Sequence, residues 1–347
     1  TIGKYPKMSL AEARRTRDDA RSQLEDGIDP AQAKKAAKQQ QDNPNRFELV
    51  ARQWMADRQG VISDYTMRRD LNLLERDVFP FIGAQGIDSV KSPDVLALAR
   101  RIEDRGAAEM ARRVIGLVGG VIRQAMREGL ANNDPTTGLK EALKPRKVQN
   151  MARIPAKELP ELLARIEVYD GDVAVRLGLL FMNLTFVRTN ELRFMEWVDV
   201  DFAAKEWRIP ASKMKMDKEH IVPLSAQAVA VLEQIKPLSG HKPYVFFNGS
   251  TRKPYSENAF LTALWRMGYK GRMTGHGFRG LASTILHEQG YMHEAIELQL
   301  AHTKKDKVAG AYNHAQHLPY RRKMMQEWAD YLDGVRTGKV LQFVKAS

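Results

Sequence analysis

Gly275-His276-Gly277-Phe278-Arg279 is the stretch around which the rest of this sequence is organised. Its histidine and arginine are three residues apart, so a helix that begins here would project both from one turn. The first turn of a helix also presents free backbone N–H groups and positive potential, which favour an anion. The stretch therefore predicts an anion site at a helix start, although a structural role explains a single histidine–arginine pair equally well.

Two cationic residues upstream extend this pattern. Arg188 directly follows an apolar run that is predicted as a helix, and Glu191, three residues later, can orient the guanidinium toward a phosphate. Lys215 lies in the turn of a predicted hairpin, from which a flexible side chain can reach into a neighbouring groove. Taken alone, a surface ion pair explains the arginine and an exposed basic turn explains the lysine.

Two residues downstream complete the set. His302 follows the apolar segment Leu298–Ala301, and Tyr312 lies ten residues later. A tyrosine hydroxyl is a weak nucleophile that needs a base or a cationic environment. The order and spacing of the five parts therefore predict an electropositive site for a phosphodiester, beside a tyrosine able to attack it. His287-Glu288 lacks the second histidine of a zinc-protease motif, and we predict neither a metal nor a cofactor.

The composition favours a polyanionic partner. The 347 residues include 55 Lys+Arg against 42 Asp+Glu, which give a net charge of +13. Nucleic acid is the first candidate, although a protein that is merely basic would show the same balance. The absence of cysteine excludes disulfides, thiolate chemistry and cysteine-based zinc sites. No apolar run approaches the roughly 18 residues of a membrane span, so we predict a cytoplasmic protein with no membrane partner.

The chain divides by composition into a helical part and a mixed part. The fold class that we predict is multidomain and mainly α, with a helical DNA-binding domain followed by a mixed α+β domain that carries the chemistry. The predicted divisions are 1–41 for an amino-terminal helical part with its linker, 44–144 for the helical domain, 145–153 for a basic linker, 154–335 for the mixed domain and 336–347 for a tail. Because the chain starts at Thr1 rather than at methionine, we interpret it as a piece of a longer protein.

Capping residues and periodicity predict helices in the first half. Ser9 and Glu12 form a capping-box pair that opens the first helix. Ser92 is predicted to cap a later helix, with Pro93 in its first position. The helix predicted over 109–128 carries four arginines that suit either DNA or solvent, namely Arg112, Arg113, Arg123 and Arg127.

The second half combines helices with short strands. Alternation around turns predicts strands within 197–209 and 220–224, and an apolar run predicts a further strand at 244–247. Helices are predicted over 172–186, 278–287 and 320–332, among others. Residues 340–344 in the tail again have strand-like composition.

The ordered motifs resemble those of the tyrosine recombinases, and among these the integrases of prophages and genomic islands. The resemblance comprises R-x-x-E-L, K followed by V-P-L, H-x-x-R, L-A-H and Y, which stand here at Arg188, Lys215, His276, His302 and Tyr312. The stretch 3–14 is similar to the end of the family's arm-site-binding domain, whose β-sheet part this sequence lacks. Phe186-Val187 also replace the glycine that usually precedes the first arginine.

The resemblance implies a role for each residue of the set. Tyr312 would attack the scissile phosphate to give a 3′-phosphotyrosine and a free 5′-hydroxyl, with His276 as its base. Arg188 and Arg279 would neutralise the developing charge, and Lys215 would protonate the leaving oxygen. Two supporting contacts are also implied: a hydrogen bond from His302 to the phosphate, and orientation of the arginine and histidine side chains by Glu191. The ester conserves the phosphodiester energy, so rejoining requires neither ATP nor a metal.

The resemblance also implies partners. These are duplex DNA attachment sites, three further copies of this chain in a tetramer, a DNA-bending host factor and an excisionase, with the protein associated with the bacterial nucleoid. Residues 336–347 are predicted to pack either on their own domain or on a neighbouring protomer. Two alternative functions remain: a DNA-binding or architectural protein without the chemistry, and a type IB-like topoisomerase. The full set of six catalytic residues argues against the first, and the arm-type amino end against the second.

Overall fold

The computed structural model describes residues 9–25, 29, 43–145, 151–214, 218–302 and 317–338. The chain divides into two compact units, Thr1–Val148 and Gln149–Ser347. Each unit has its own cluster of buried apolar side chains.

The amino-terminal unit is helical throughout its described part. A capping box opens its first helix, as predicted: the backbone N–H of Ser9 donates to Glu12 Oε2 over 2.9 Å, and that of Glu12 donates to Ser9 Oγ over 3.2 Å. Its helices are α1 (Leu10–Glu25), α2 (Phe47–Asp57), α3 (Asp64–Asp77), α4 (Phe79–Ile82), α5 (Ser92–Asp104) and α6 (Ala108–Arg127). The long helix α6 buries one continuous apolar face, from Ala111 to Ala125, against the others.

The cap predicted at Ser92 is wrong. Ser92 is the first residue of α5, and its hydroxyl donates to the carbonyl of Pro135 over 2.8 Å. The backbone N–H that needs a cap belongs to Lys91, and the Asp94 carboxylate accepts it over 2.9 Å. The helix begins one residue earlier than predicted, because the serine hydroxyl hydrogen-bonds to Pro135 instead of capping the helix.

All four arginines on α6 make contacts within the protein, and that of Arg127 is a hydrogen bond from its Nε to Gln124 Oε1 over 3.2 Å. Arg113 forms an ion pair with the buried carboxylate of Asp70 at 2.6 Å, and Arg123 forms one with Asp134 at 2.6 Å. Arg112 donates to backbone carbonyls over 2.7 and 3.0 Å. Arg112, Arg113 and Arg123 therefore link separate segments of the helical unit. The charge pattern of the sequence alone did not distinguish such contacts from contacts with DNA.

The carboxy-terminal unit packs helices around a small antiparallel sheet. Its helices are α7 (Leu159–Glu167), α8 (Val173–Thr185), α9 (Thr189–Arg193), α10 (Ala226–Ser239), α11 (Ala259–Leu264), α12 (Gly275–Glu288), α13 (His293–Gln299) and α14 (Leu318–Arg336). Its strands are β1 (Val200–Asp201), β2 (Glu206–Ile209), β3 (His220–Pro223), β4 (Phe247–Asn248) and β5 (Lys253–Pro254). The sheet order is β1-β2-β3, with Glu206 opposite Pro223 and Ile209 opposite His220. The strands predicted within 197–209 and 220–224 are thus confirmed.

The strand predicted at 244–247 is confirmed only in part. Tyr244 forms an isolated antiparallel bridge with Glu196, and Phe247 pairs with Pro254 in β4. Val245 and Phe246 are fully buried in the core beneath α8, and this burial gives the run the same apolar composition as a continuous strand.

Helix α8 runs through the centre of this unit. Phe181 packs against Trp207 and Phe246, with ring centroids 6.1 and 5.8 Å apart. A Cβ at Gly178 would lie 2.5 Å from the ring of Phe260, so only glycine fits there. These contacts fix the position of α8, which ends at Thr185, and the first candidate arginine, Arg188, follows three residues later.

Within the described residues, no helix is long and apolar enough to cross a membrane. The strand-like run predicted at 340–344 lies outside the described residues.

Candidate active site

Arg188 is held by three hydrogen bonds at the start of α9. Its backbone N–H and its Nη1 each donate to the carboxylate of Glu191 over 2.7 Å, and its Nη2 donates to the carbonyl of Ala301 over 3.1 Å. The Glu191 side chain is largely buried, whereas about a third of the Arg188 side chain remains accessible. The carboxylate therefore fixes the direction of a guanidinium that still faces outward.

Arg279 lies beneath this surface and is 3% exposed. Its Nη1 donates to the carbonyl of Phe186 over 2.8 Å, and its Nη2 donates to the carbonyl of Leu300 over 2.5 Å. Its Nε has no hydrogen-bond partner within the part of the chain that the structure describes. Burial, and then the nearby charge of Arg188, lower the pKa of Arg279 to about 10, which leaves it cationic at neutral pH.

The end of α13 brings His302 to the same place. The backbone N–H of His302 donates to the carbonyl of Glu297 over 3.0 Å, and Ala301 adopts the left-handed conformation, with a φ of 48°. This is the helix ending that glycine usually provides. His302 Nδ1 lies 3.0 Å from the Glu297 carboxylate, and Nε2 lies 3.4 Å from Arg279 Nη2. Because a carboxylate only accepts, Nδ1 carries a proton, and Nε2 faces the arginine.

His276 is exposed in the first turn of α12. The hydroxyl of Thr274 caps this helix by accepting the N–H of Gly277 over 3.0 Å. Loss of water around the ring, followed by the charges of Arg279, Arg188 and His302, lowers the pKa of His276 below its usual value. The imidazole is therefore neutral at neutral pH and able to accept a proton.

The two glycines that flank His276 allow close packing. A Cβ at Gly275 would lie 2.4 Å from Thr189 Oγ1, and one at Gly277 would lie 2.7 Å from the carbonyl of Ala152. The start of α12 can therefore approach the start of α9, next to Arg188. The Gly-His-Gly pattern in the sequence reflects these two close contacts, of Gly275 with Thr189 and of Gly277 with Ala152.

The predicted lysine and tyrosine are not described by the structure. Lys215 and Tyr312 both lie outside the described residues. Lys213, two residues before Lys215, binds Asp199 at 2.6 Å and Glu196 at 3.1 Å. Burial works against its charge, but these hydrogen bonds raise the pKa of Lys213 above its usual value. The Lys213 ammonium is therefore already bound to two carboxylates of the protein.

Three elements, namely the start of α9, the start of α12 and the end of α13, thus bring together Arg188, Glu191, His276, Arg279 and His302. Sequence reasoning missed the groups that hold them, which are the carbonyls of Phe186, Leu300 and Ala301 and the carboxylate of Glu297. A backbone carbonyl has no residue signature, and Glu297 is one of many acidic residues on helices. No group of three or more potential metal-ligating side chains occurs among the described residues.

Comparison with known proteins gives three family matches. Residues 152–318 match the phage integrase family, residues 47–142 match the phage integrase central domain, and residues 1–37 match an arm DNA-binding domain. The chain is 38% identical to the integrase of Enterobacteria phage P4, over 96% of this chain and 79% of that protein. It is 37% identical to the prophage integrase IntS of Escherichia coli K12, over 96% of this chain and 86% of that one.

Two solved structures share the fold. A lambda integrase tetramer bound to a Holliday junction superimposes with a TM-score of 0.63 at 16% identity, covering 87% of this chain and 86% of that one. The Tn1549 transposon integrase in complex with circular intermediate DNA gives a TM-score of 0.55 at 18% identity, covering 79% of this chain and 98% of that one.

Proposed function

This chain belongs to the phage integrase family, and we propose that Arg188, Arg279 and His302 hold the scissile phosphate while Tyr312 attacks it. The enzyme is a tyrosine-type site-specific recombinase, which integrates or excises mobile DNA. The assignment of the individual residues is the proposal.

The observation that carries the proposal is the convergence of two arginines and a histidine at the end of α13. Arg188 binds the carbonyl of Ala301, and Arg279 binds that of Leu300 and faces His302. Two guanidinium groups held this close repel each other, and the carboxylates beside them are already bound to Arg188 and His302. An added anion would relieve the repulsion, most of all the phosphorane-like transition state, whose charge is greatest.

The proposed cleavage exchanges one phosphorus–oxygen bond for another. The Tyr312 oxygen bonds to phosphorus as the bond to the 5′-oxygen breaks, which leaves a 3′-phosphotyrosine and a 5′-hydroxyl. The tyrosine proton passes to His276, and the leaving oxygen takes a proton from Lys215. The lowered pKa of His276 supports the first transfer, since its ring is neutral before the reaction. Rejoining reverses both transfers with a new 5′-hydroxyl.

Duplex DNA at attachment sites is the proposed partner, with a tetramer of this chain as the working assembly. The lambda integrase that shares the fold was solved as a tetramer on a Holliday junction. The net charge of +13 also favours DNA. We further propose a DNA-bending host factor and an excisionase as helpers, and association with the nucleoid.

The domain roles follow from the same premise. We propose that 1–41 is the remainder of an arm-binding domain with its linker, 44–144 a core-site-binding domain, 145–153 a linker and 154–335 the catalytic domain. The tail 336–347 would then pack either on its own catalytic domain or on a neighbouring protomer. The family matches over 1–37, 47–142 and 152–318 support this division.

The test of the proposed function is the covalent adduct. A nicked half-site, which loses its short 5′-strand after cleavage, should trap the parent protein on DNA. Tyr312→Phe should bind the same DNA with unchanged affinity and form no adduct. Tyr320→Phe is the matched control, because Tyr320 lies close in sequence and its hydroxyl accepts the backbone N–H of Met292. An adduct with Tyr312→Phe would assign the nucleophile to another residue.

A further inference from the structure

We propose that Gln299 and Arg321 are positioning residues for DNA cleavage, which set the place of Tyr312 by joining the two ends of the segment that carries it. The inference rests on the proposed function and concerns residues that lie outside the phosphate-binding set. Arg321 also lies beyond residue 318, the last that the phage integrase family matches.

The two side chains form one hydrogen-bonded bridge. Arg321 Nη2 donates to Gln299 Oε1 over 2.6 Å. Gln299 belongs to α13, three residues before His302, and Arg321 lies in the first turn of α14. The stretch 303–316, which contains Tyr312, connects these two helices in the sequence. The Gln299–Arg321 bridge therefore links the two described helices that flank residues 303–316 in the sequence.

The bridge also reaches two further elements of the site. Gln299 Nε2 donates to the carbonyl of Thr185 over 3.2 Å, and Thr185 precedes Phe186, whose carbonyl binds Arg279. Arg321 Nη2 donates a second hydrogen bond to the carbonyl of Ile221 over 2.6 Å. Ile221 lies in β3, the strand that follows the turn containing Lys215. One pair of side chains thus connects the end of α8, whose following carbonyl binds Arg279, with strand β3 and with the two helices that flank residues 303–316 in the sequence.

Stability alone is a poor explanation for an arginine at this position. Arg321 and Gln299 are both 0% exposed. Arg321 Nε and Nη1 have no hydrogen-bond partner in the described part of the chain, and each buried, unsatisfied donor costs free energy. An apolar side chain of similar length often serves a core as well as a buried charge does. The geometry that the guanidinium imposes is therefore the better reason for its presence.

Other contacts attach α14 to the core without the bridge. Trp328 Nε1 donates to the carbonyl of Asn183 over 2.9 Å, and the Tyr291 hydroxyl donates to Glu327 over 2.7 Å. The helix would therefore stay docked if the bridge were removed, while its first turn could shift. A displacement of about 1 Å between reacting groups lowers a rate by up to roughly 100-fold.

The experiment compares Arg321→Met with Arg322→Met in the full chain. Arg322 is the next residue of α14, is partly exposed, and binds the buried Glu206 and the carbonyl of Ala204 rather than the bridge. For each variant we would measure the melting temperature, the half-site dissociation constant, and the first-order rate of adduct formation at saturating DNA. Gln299→Met, which removes the same hydrogen bond from the other side, is the second variant.

We expect Arg321→Met and Gln299→Met to bind the half-site within about 2-fold of the parent but to form the adduct about 10 to 100 times more slowly. Arg322→Met should melt at a lower temperature, because Glu206 loses a partner, yet cleave at the parental rate. A merely structural role predicts that rate follows melting temperature across all three variants.

Parental cleavage by either bridge variant, or a loss in affinity rather than in rate, would overturn the inference. If Arg321→Met does not fold, Gln299→Met decides the question alone. The inference and the proposed function fail separately: an adduct in Tyr312→Phe removes the nucleophile assignment, whereas fast cleavage by Gln299→Met removes only the bridge.

Discussion

Phe186 and Ala301 are two non-glycine residues in the left-handed region, with φ of 39° and 48°, and their turns flank the arginine pair. Arg279 binds the carbonyl of the first, and Arg188 binds that of the second. A left-handed conformation costs a side-chain-bearing residue on the order of 1 kcal/mol or more. The strain is therefore located where the two arginines that we propose to bind the phosphate are positioned.

The two residues should respond differently to glycine. Phe186 is fully buried, with its ring edge-on to Trp328 at 6.1 Å, so Phe186→Gly should lower the free energy of unfolding by about 3 kcal/mol or more despite the relieved strain. Ala301→Gly loses one methyl group and should change it by less than about 1 kcal/mol. Urea unfolding of both variants measures the difference. A higher free energy of unfolding in both variants would show that backbone strain, rather than side-chain packing, dominates at both turns.

At the scale of elements, Asp77 joins the ends of two helices in the amino-terminal unit. Its carboxylate accepts two hydrogen bonds, each 2.7 Å long, from Arg105, the residue that follows α5, and two more, of 3.1 and 2.7 Å, from Arg76 on its own helix α3. The hydrogen bonds from Arg105, and secondarily those from Arg76, outweigh burial and lower the pKa of Asp77 to about 2. The ordinary value is 3.8.

We expect Asp77→Asn to lower the free energy of unfolding by about 2 kcal/mol at neutral pH. Since the folded pKa lies below the unfolded one, this stabilisation is present above pH 3.8 and is lost as the pH falls toward 2. Wild type and variant should therefore converge in acid. Glu75→Gln is the control: its ion pair with Arg52 is exposed on both sides and should contribute less than about 0.5 kcal/mol. Parallel pH profiles for wild type and Asp77→Asn would contradict the assignment.

The hairpin between β2 and β3 carries the lysine proposed as general acid. Lys215→Ala should cleave ordinary DNA at least about 100 times more slowly, and a bridging 5′-phosphorothiolate should restore much of the rate because sulfur leaves without a proton. Lys213→Ala should lose stability instead, since its ammonium binds Asp199 and Glu196. Cleavage assays on both substrates measure this. If sulfur rescues Lys213→Ala and not Lys215→Ala, the two lysines exchange roles.

At the scale of the whole molecule, each unit has its own buried core, which allows the units to be studied apart. If both bind DNA phosphates, dividing the chain near Gln149 should flatten the salt dependence of binding. Each phosphate that the shorter chain no longer neutralises removes about 0.9 from the slope of log K against log salt concentration. Titrations of the full chain and of residues 149–347 at several salt concentrations measure the two slopes. An unchanged slope for 149–347 would mean that the amino-terminal unit neutralises no DNA phosphates.

The sequence by itself determined the family, the order of the candidate residues and most of the helices. Arg188, His276 and His302 were found because each stands in a short motif at a helix start or helix end. Such motifs depend on hydrogen bonds between residues three to five positions apart, and local sequence reports these directly. The helix predicted over 320–332 and observed over Leu318–Arg336 was found for the same reason.

Only the tertiary structure decided what holds these residues in place. The carbonyls that bind Arg188 and Arg279, the Gln299–Arg321 bridge and the ion pairs of the α6 arginines all join residues far apart in the chain. The burial of Val245 and Phe246, between the bridge at Tyr244 and the strand at Phe247, is likewise a property of the core around them. A residue's type limits the hydrogen bonds that it can make. Which partner it finds depends on packing between distant segments, and a single sequence carries no signal for that.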